Sequence, residues 1–346
     1  MSAHLKMDTP DHRRRLDHTA QGVIGTGLNR PDGAAKVTGT APYAYEVQPE
    51  NMAYGVLVRA PVTRGTLTGI DADAVMALPG VLSVMHGPKF LRNPAQGTAN
   101  TAPVQGSEDI AYWGQPVALV IAETFEQARH GAHLLELQIA AKTGQVDPEA
   151  AGFETPDDQQ DSQGDLDQAM QDAAASVDVT YTTPGHNSAA MEPHASIASW
   201  DGAHLTLRGS YQMPNYNINE LASSVGIDAA QVRILSPFVG GGFGAKLGIA
   251  PEAVAAALAA MELSRPVGVA LSRQQVFETT MRRSESRQRV RLSADAQGHL
   301  TGIGHEAYVS NLPDEAFSEP VTQATPFIYS GENRLIGHHI ARVNRT

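Results

Sequence analysis

The chain has 346 residues, enough for two domains, and 42% hydrophobic with 18% charged residues is the composition of an ordinary globular protein. A net charge of −12 argues against a nucleic-acid-binding surface, and no apolar run approaches the length of a membrane span. Cysteine is absent, which excludes disulfides, cysteine-ligated iron–sulfur clusters and a thiol nucleophile from this chain.

Residues 1–29 are polar and mixed and read as a flexible arm. Arg13-Arg14-Arg15 is followed by Leu16-Asp17-His18-Thr19, not by an apolar core, so no signal peptide is read. The chain suits cytoplasm or periplasm, the latter by export with a partner's signal. Arg30-Pro31-Asp32-Gly33 is a turn. Residues 53–59 read as a strand, and residues 71–78 as a short helix stopped by Pro79-Gly80. Residues 81–85 form another strand, and residues 116–122 a buried one. An amphipathic helix is expected over 124–137, capped by Thr124, with Ala128, Ala132 and Leu135 inward. Residues 30–142 thus make one compact α+β domain. Residues 143–165, with Asp157, Asp158, Asp161 and Asp165, read as a solvated acidic linker.

The second domain, 166–346, opens on a helix start at 165–170. Residues 177–183 alternate like a half-buried strand. Residues 196–200 and 205–210 form a hairpin around Asp201-Gly202. Residues 231–236 are a short strand broken by Pro237. Then comes Val239-Gly240-Gly241-Gly242-Phe243-Gly244-Ala245-Lys246. Glycine brings no side chain to pack, so this loop is built for backbone freedom and for close approach of a polar or anionic ligand. Pro251 opens an alanine-rich helix over 251–261, and a strand follows at 266–271. Residues 289–294 and 300–308 form a second hairpin. The last residues, 338–346, read as a strand leading onward, so the domain is expected to be truncated.

Several constellations carry candidate chemistry. Gly240-x-Gly242-x-x-Ala245, with Glu262 beyond it, satisfies a bare dinucleotide pattern, although Pro237 interrupts the strand before it. A dinucleotide-dependent dehydrogenase is therefore the alternative enzyme reading. Lys246 is followed by Leu247, which rules out a phosphate P-loop. His186, Glu192 and His194 invite a metal reading, but Pro193 prevents a helical ligand face. His338 and His339 should point to opposite sides of a strand. Glu192, Glu220, Glu252 and Glu306 are the candidate carboxylates, with Glu192 read as buried against backbone N–H groups. Gln212, after a strand, can aim its amide at a ligand or cap a turn.

In this order the pieces resemble the molybdenum-binding large subunits of the xanthine dehydrogenase/aldehyde oxidase family. Arg30-Pro31-Asp32-Gly33 with Lys36-Val37-Thr38-Gly39-Thr40-Ala41-x-Tyr43 is similar to that family's opening motif. Leu78-Pro79-Gly80-Val81 and Gly114-Gln115-Pro116-Val117-Ala118 resemble its α/β hammerhead domain. Met191-Glu192-Pro193-His194, Gln212 and the glycine loop resemble the first part of its molybdopterin-binding α+β domain. Tyr43-Ala44-Tyr45-Glu46, Glu123-Thr124-Phe125-Glu126, Tyr181-Thr182-Thr183-Pro184 and Ser310-Asn311-Leu312-Pro313 are most similar to its bacterial aldehyde-oxidising branch.

The resemblance implies a molybdenum–molybdopterin cytosine dinucleotide cofactor, with Gly241, Gly242, Phe243 and Gly244 lending backbone to it. It implies that Gln212 hydrogen-bonds near an oxygen ligand of the metal, which the pterin's own sulfurs hold. It implies 2Fe–2S and FAD centres on partner subunits in a heterotrimer, and oxidation of aldehydes to carboxylic acids with water as oxygen source. Purine-oxidising relatives carry a glutamate where Leu247 stands, and the usual glycine is Ala245 here. The general base, the substrate-orienting arginine and the rest of the cofactor cradle are expected in a missing carboxy-terminal half, so this chain alone is expected to be inactive. A non-catalytic fragment that only docks with those subunits is the remaining alternative.

Overall fold

The computed structural model describes residue 22 and residues 26–87, 108–313, 315, 317–329 and 331–345. Most of the arm expected over 1–29 lies outside them. The chain divides into two units, 1–42 and 43–346. In the first, Gly33 N–H donates to Arg30 O and closes the expected turn, and a five-residue helix, Gly33–Val37, follows.

The second unit is a mixed α+β body built on a seven-stranded sheet. Its strands run in the order Val232–Leu235, Leu205–Arg208, Ala195–Trp200, Val267–Ala270, Ala53–Arg59, Pro116–Ala122, Val81–His86. The sheet therefore crosses the expected domain boundary: Ala53–Arg59 pairs parallel with Val267–Ala270 and antiparallel with Pro116–Ala122. Pro116–Ala122 is buried along its whole length, as its uninterrupted apolar run requires. Leu119 and Ile121 face the same core as the alanine helix Pro251–Leu263. Ala118 and Val120 face the opposite side, with Val75 and Leu135. Ala253, Ala255, Ala256, Ala257, Ala259 and Ala260 are fully buried, because a helix apolar all round belongs inside.

The helix after Pro116–Ala122 spans Phe125–Leu134 and not 124–137. Thr124 caps it in a reciprocal box with Gln127. It stops early because Glu136–Ala141 pairs with Gly65–Asp71 in a three-stranded sheet whose third strand is Asp109–Ile110. Between Leu205–Arg208 and the parallel strand Val232–Leu235 runs a helix, Pro214–Val225, which the sequence reading did not identify.

A five-stranded sheet completes the unit, in the order Gln160–Gln163, Asn333–Arg342, Leu300–Asn311, Ser286–Ala294, Ala175–Thr183. The acidic stretch 143–165 supplies its first edge strand and the helical turn Pro148–Ala151, and Asp161 pairs with Arg334. Ala175–Thr183 is the other edge. Expected to be half-buried, it is exposed on both faces except at Val179.

Candidate functional site

The glycine loop leaves the sheet at Leu235 and returns to regular structure at Pro251. It is held from behind by the segment 190–196, the strand end at 210–212 and the helix Pro214–Val225. Gln212 sets its middle. Gln212 Oε1 accepts from Gly244 N–H at 3.0 Å and from Lys246 N–H at 3.2 Å, and Gln212 N–H donates to Lys246 O at 2.8 Å. With its oxygen used twice, the amide is fixed in orientation and its Nε2 is left as a donor. The space beside Gly242 is taken by this glutamine: a Cβ there would lie 2.4 Å from Oε1.

Gly241 and Gly244 have φ of +104° and +96°, backbone that L-residues rarely adopt. Phe243 also has positive φ, +51°, while its ring is 71% exposed. A bulky residue in that region costs about 1–2 kcal/mol. Such an outlier marks a functional candidate. Among the described residues, the N–H groups of Gly241, Gly242 and Phe243 have no partner, although Gly242 is buried. Buried N–H groups are almost always paired, so this run of donors points to an absent acceptor.

The polar residues behind the loop form three clusters. In the first, Lys246, 1% exposed, donates to Glu192 Oε2 and to Glu192 O, each at 3.0 Å, and to Ser210 Oγ at 3.2 Å. Glu192 Oε2 also accepts from Gly240 N–H at 2.7 Å. In the second, His194 Nε2–H donates to Ala245 O at 2.9 Å. Burial pulls this imidazole down to about 4, so the ring is neutral. In the third, Asn217 bridges Glu220 Oε2 and Leu247 O, each at 2.8 Å, and Ile249 N–H donates to the same Glu220 oxygen at 2.9 Å. Deeper still, Ser196 Oγ lies 2.5 Å from Tyr211 Oη and donates to Glu252 Oε1 at 3.1 Å. Burial pushes the carboxyls of Glu252 and Glu220 up to about 7 and the Tyr211 phenol well above its usual value.

A cavity of about 210 Å³ opens beside the loop, lined among others by His186, Phe243, Gly244, Met281, Arg283 and Glu319. Arg283 Nη1 donates to Glu319 at 2.8 Å.

Of the other sequence-derived candidates, His186 lines this cavity and the rest lie elsewhere. Glu306 sits on the five-stranded sheet and accepts from Arg291 at 3.1 Å. His338 and His339 reach different partners, Ser318 and Thr155. His186 pairs with Arg283 through backbone only, and the described residues contain no His/Asp/Glu cluster able to hold a metal. Glu262 accepts from Ser83, away from the loop. The dinucleotide pattern fails on topology: Leu205–Arg208 and Ala195–Trp200 separate the strand before the loop from the strand after its helix, where a Rossmann unit needs neighbouring parallel strands. The sequence reading treated Glu192 and Lys246 separately. Nothing local in the sequence joins a glutamate before a proline to a lysine 54 residues later.

The description "Molybdopterin cofactor-binding domain" matches residues 152–344, and "Aldehyde oxidase and xanthine dehydrogenase, a/b hammerhead domain" matches residues 38–142. The aldehyde oxidoreductase molybdenum-binding subunit PaoC of Escherichia coli (strain K12) is 40% identical, covering 98% of this chain and 47% of PaoC. The nicotine 6-hydroxylase large subunit of Paenarthrobacter nicotinovorans is 30% identical over 83% of this chain and 38% of its own length. Among solved structures, the aldehyde oxidoreductase from Desulfovibrio gigas superposes with a TM-score of 0.82 at 22% identity, covering 93% of this chain and 39% of that one. The chain thus spans about half the length of PaoC, or less of the other relatives. By the match over residues 152–344, more than half of its length, the chain belongs to the molybdopterin cofactor-binding family, with the hammerhead domain of aldehyde oxidases and xanthine dehydrogenases ahead of that region.

Proposed function

We propose that this chain is the cofactor-cradling part of a molybdenum hydroxylase that oxidises aldehydes to carboxylic acids. The observation that carries the reading is the run Gly241-Gly242-Phe243: three N–H groups without an acceptor among the described residues, one of them on a buried residue, with Phe243 at positive φ and its ring exposed. These residues fit a pterin cofactor with its oxygen and phosphate acceptors. Gly241, Gly242, Phe243 and Gly244 would hold it by backbone, and Gln212 would donate from Nε2. When bound, the cofactor supplies a two-electron oxidation with water as oxygen source.

The chain's own part is to bind, orient and exclude water. Its neutral His194 and its buried Glu220 and Glu252 hold the loop's frame and face inward. Glu192 is engaged by Lys246, and Glu319 by Arg283. The proton-abstracting base is therefore assigned outside these residues. The cytosine dinucleotide form of the cofactor, the iron–sulfur and FAD subunits that take the electrons, and a cytoplasmic or periplasmic location belong to the same proposal. No described helix is long and apolar enough to cross a membrane.

The aldehyde preference rests on Leu247, whose apolar side chain offers no acceptor or charge for a purine ring, and on the similarity to aldehyde oxidoreductase subunits. The test is kcat/KM of the assembled enzyme for an aromatic aldehyde and for xanthine. Preference for the aldehyde is expected, and preference for xanthine refutes the substrate assignment.

A further inference from the structure

We propose that Glu192 and Lys246 are positioning residues, an ion pair of a half-buried carboxylate and a buried lysine that fixes the path of the glycine run by joining Gly240 to Lys246. The proposal rests on the reading of the loop as the cofactor cradle. Glu192 Oε2 accepts from Gly240 N–H at 2.7 Å, where the loop begins, and from Lys246 Nζ at 3.0 Å, where it ends. Glu192 N–H donates back to Gly240 O at 3.2 Å. The contact with Gly240 is so close that a Cβ there would lie 2.5 Å from Glu192 Cβ. Lys246 has three acceptors, Glu192 Oε2, Glu192 O and Ser210 Oγ, one for each ammonium hydrogen.

Between these two anchors, Gly241, Gly242 and Phe243 donate to nothing in the described chain. Their path is set by the two anchors together with Gly242 O, which accepts from Ala245 N–H at 2.9 Å, and the Gln212 side chain beside Gly242. Through hydrogen bonds, Gln212 and His194 hold only the later part of the loop, at Gly244, Ala245 and Lys246. Among the described residues, Glu192 is the one side chain hydrogen-bonded to Gly240. A buried ion pair is weak evidence for stability, since an apolar pair of similar size often serves as well. What an apolar pair does not supply is a carboxylate oxygen shared between the two ends.

The test separates stability from position. Glu192→Gln, Lys246→Met and the double variant are made in the whole assembled protein. Each is measured for thermal melting, for amide exchange of the peptide covering 239–247, and for molybdenum content. Lys246→Met leaves the half-buried Glu192 carboxylate without its cation and lowers the melting temperature. The double variant removes both charges and recovers melting. If the pair positions the loop, the double variant still exchanges its loop amides about tenfold faster and retains about tenfold less molybdenum. If the pair is only structural, the double variant recovers all three, and the proposal is overturned while the reading of the cradle stands. A wild-type protein without molybdenum overturns that reading and the proposal together.

Discussion

Gly240 and Gly242 both lie within a Cβ's reach of a polar side chain, yet substitution by alanine should cost very different amounts. At Gly242 the added Cβ meets Gln212 at 2.4 Å from Oε1 and 2.7 Å from Cγ. Gln212 is exposed, so its whole side chain can rotate about χ1 and carry Cγ and the amide away while the backbone stays. The loss is two hydrogen bonds, to Gly244 and Lys246 N–H. At about 0.5–1 kcal/mol each in a partly wet setting, Gly242→Ala destabilises by roughly 1–2 kcal/mol. At Gly240 the Cβ meets Glu192 at its own Cβ, 2.5 Å away. That stem cannot move without withdrawing the carboxylate from Lys246. Leaving a buried charge unpaired costs about 3–5 kcal/mol. Urea denaturation of both variants, with m-values compared, measures the difference. Equal losses, or a larger loss for Gly242→Ala, would refute the assignment of one contact as flexible and the other as fixed. Gly242→Ala should nevertheless reduce molybdenum retention, because the displaced Gln212 no longer offers its Nε2.

Two further perturbations probe the electrostatics and the strain. Burial holds the Glu252 carboxyl at about 7 against its ordinary 4.5. The folded chain therefore keeps a proton that the unfolded chain has released, so this group's contribution to stability is complete below about pH 4.5 and is lost as pH rises through about 7. Glu252→Gln removes that loss, and its stability relative to wild type should rise by roughly 3 kcal/mol between pH 4.5 and 8. Burial of His194 works in the opposite direction at lower pH, which is why the comparison is between variant and wild type; a flat difference would show that Glu252 is solvated. Phe243→Asn should leave the cofactor-free chain as stable or up to about 1 kcal/mol more stable, since asparagine tolerates positive φ, while molybdenum retention falls. A marked loss of stability in thermal melts would mean that the Phe243 ring packs within the chain.

Much of the fold was legible because local pattern and tertiary role agree. The apolar run 116–122, the hairpin at Asp201-Gly202 and the alanine helix after Pro251 each read the same way at both levels. The misses share a cause. Pro214–Val225 hides because its buried face carries Asn217 and Glu220, polar residues placed there to bind Leu247 O and Ile249 N–H from another segment. Residues 136 and 137 read as the end of the preceding helix, and pairing of Glu136–Ala141 with Gly65–Asp71 makes them strand. Residues 177–183 alternate without the burial that alternation implies. At the site, the glycine loop and Gln212 stood out by composition and position. The Glu192–Lys246 pair, 54 residues apart in sequence, did not, because the sheet order that brings them together is not a local property.

The account stands on the loop being a molybdopterin site, and metal content decides it. The assembled protein, purified without added cofactor, is assayed for molybdenum by mass spectrometry and for the nucleotide released on acid hydrolysis. One molybdenum per chain, with cytidine nucleotide in equal amount, is the predicted result, and Gly242→Val should abolish both. A wild-type protein carrying nicotinamide dinucleotide, or no molybdenum at all, would contradict the account.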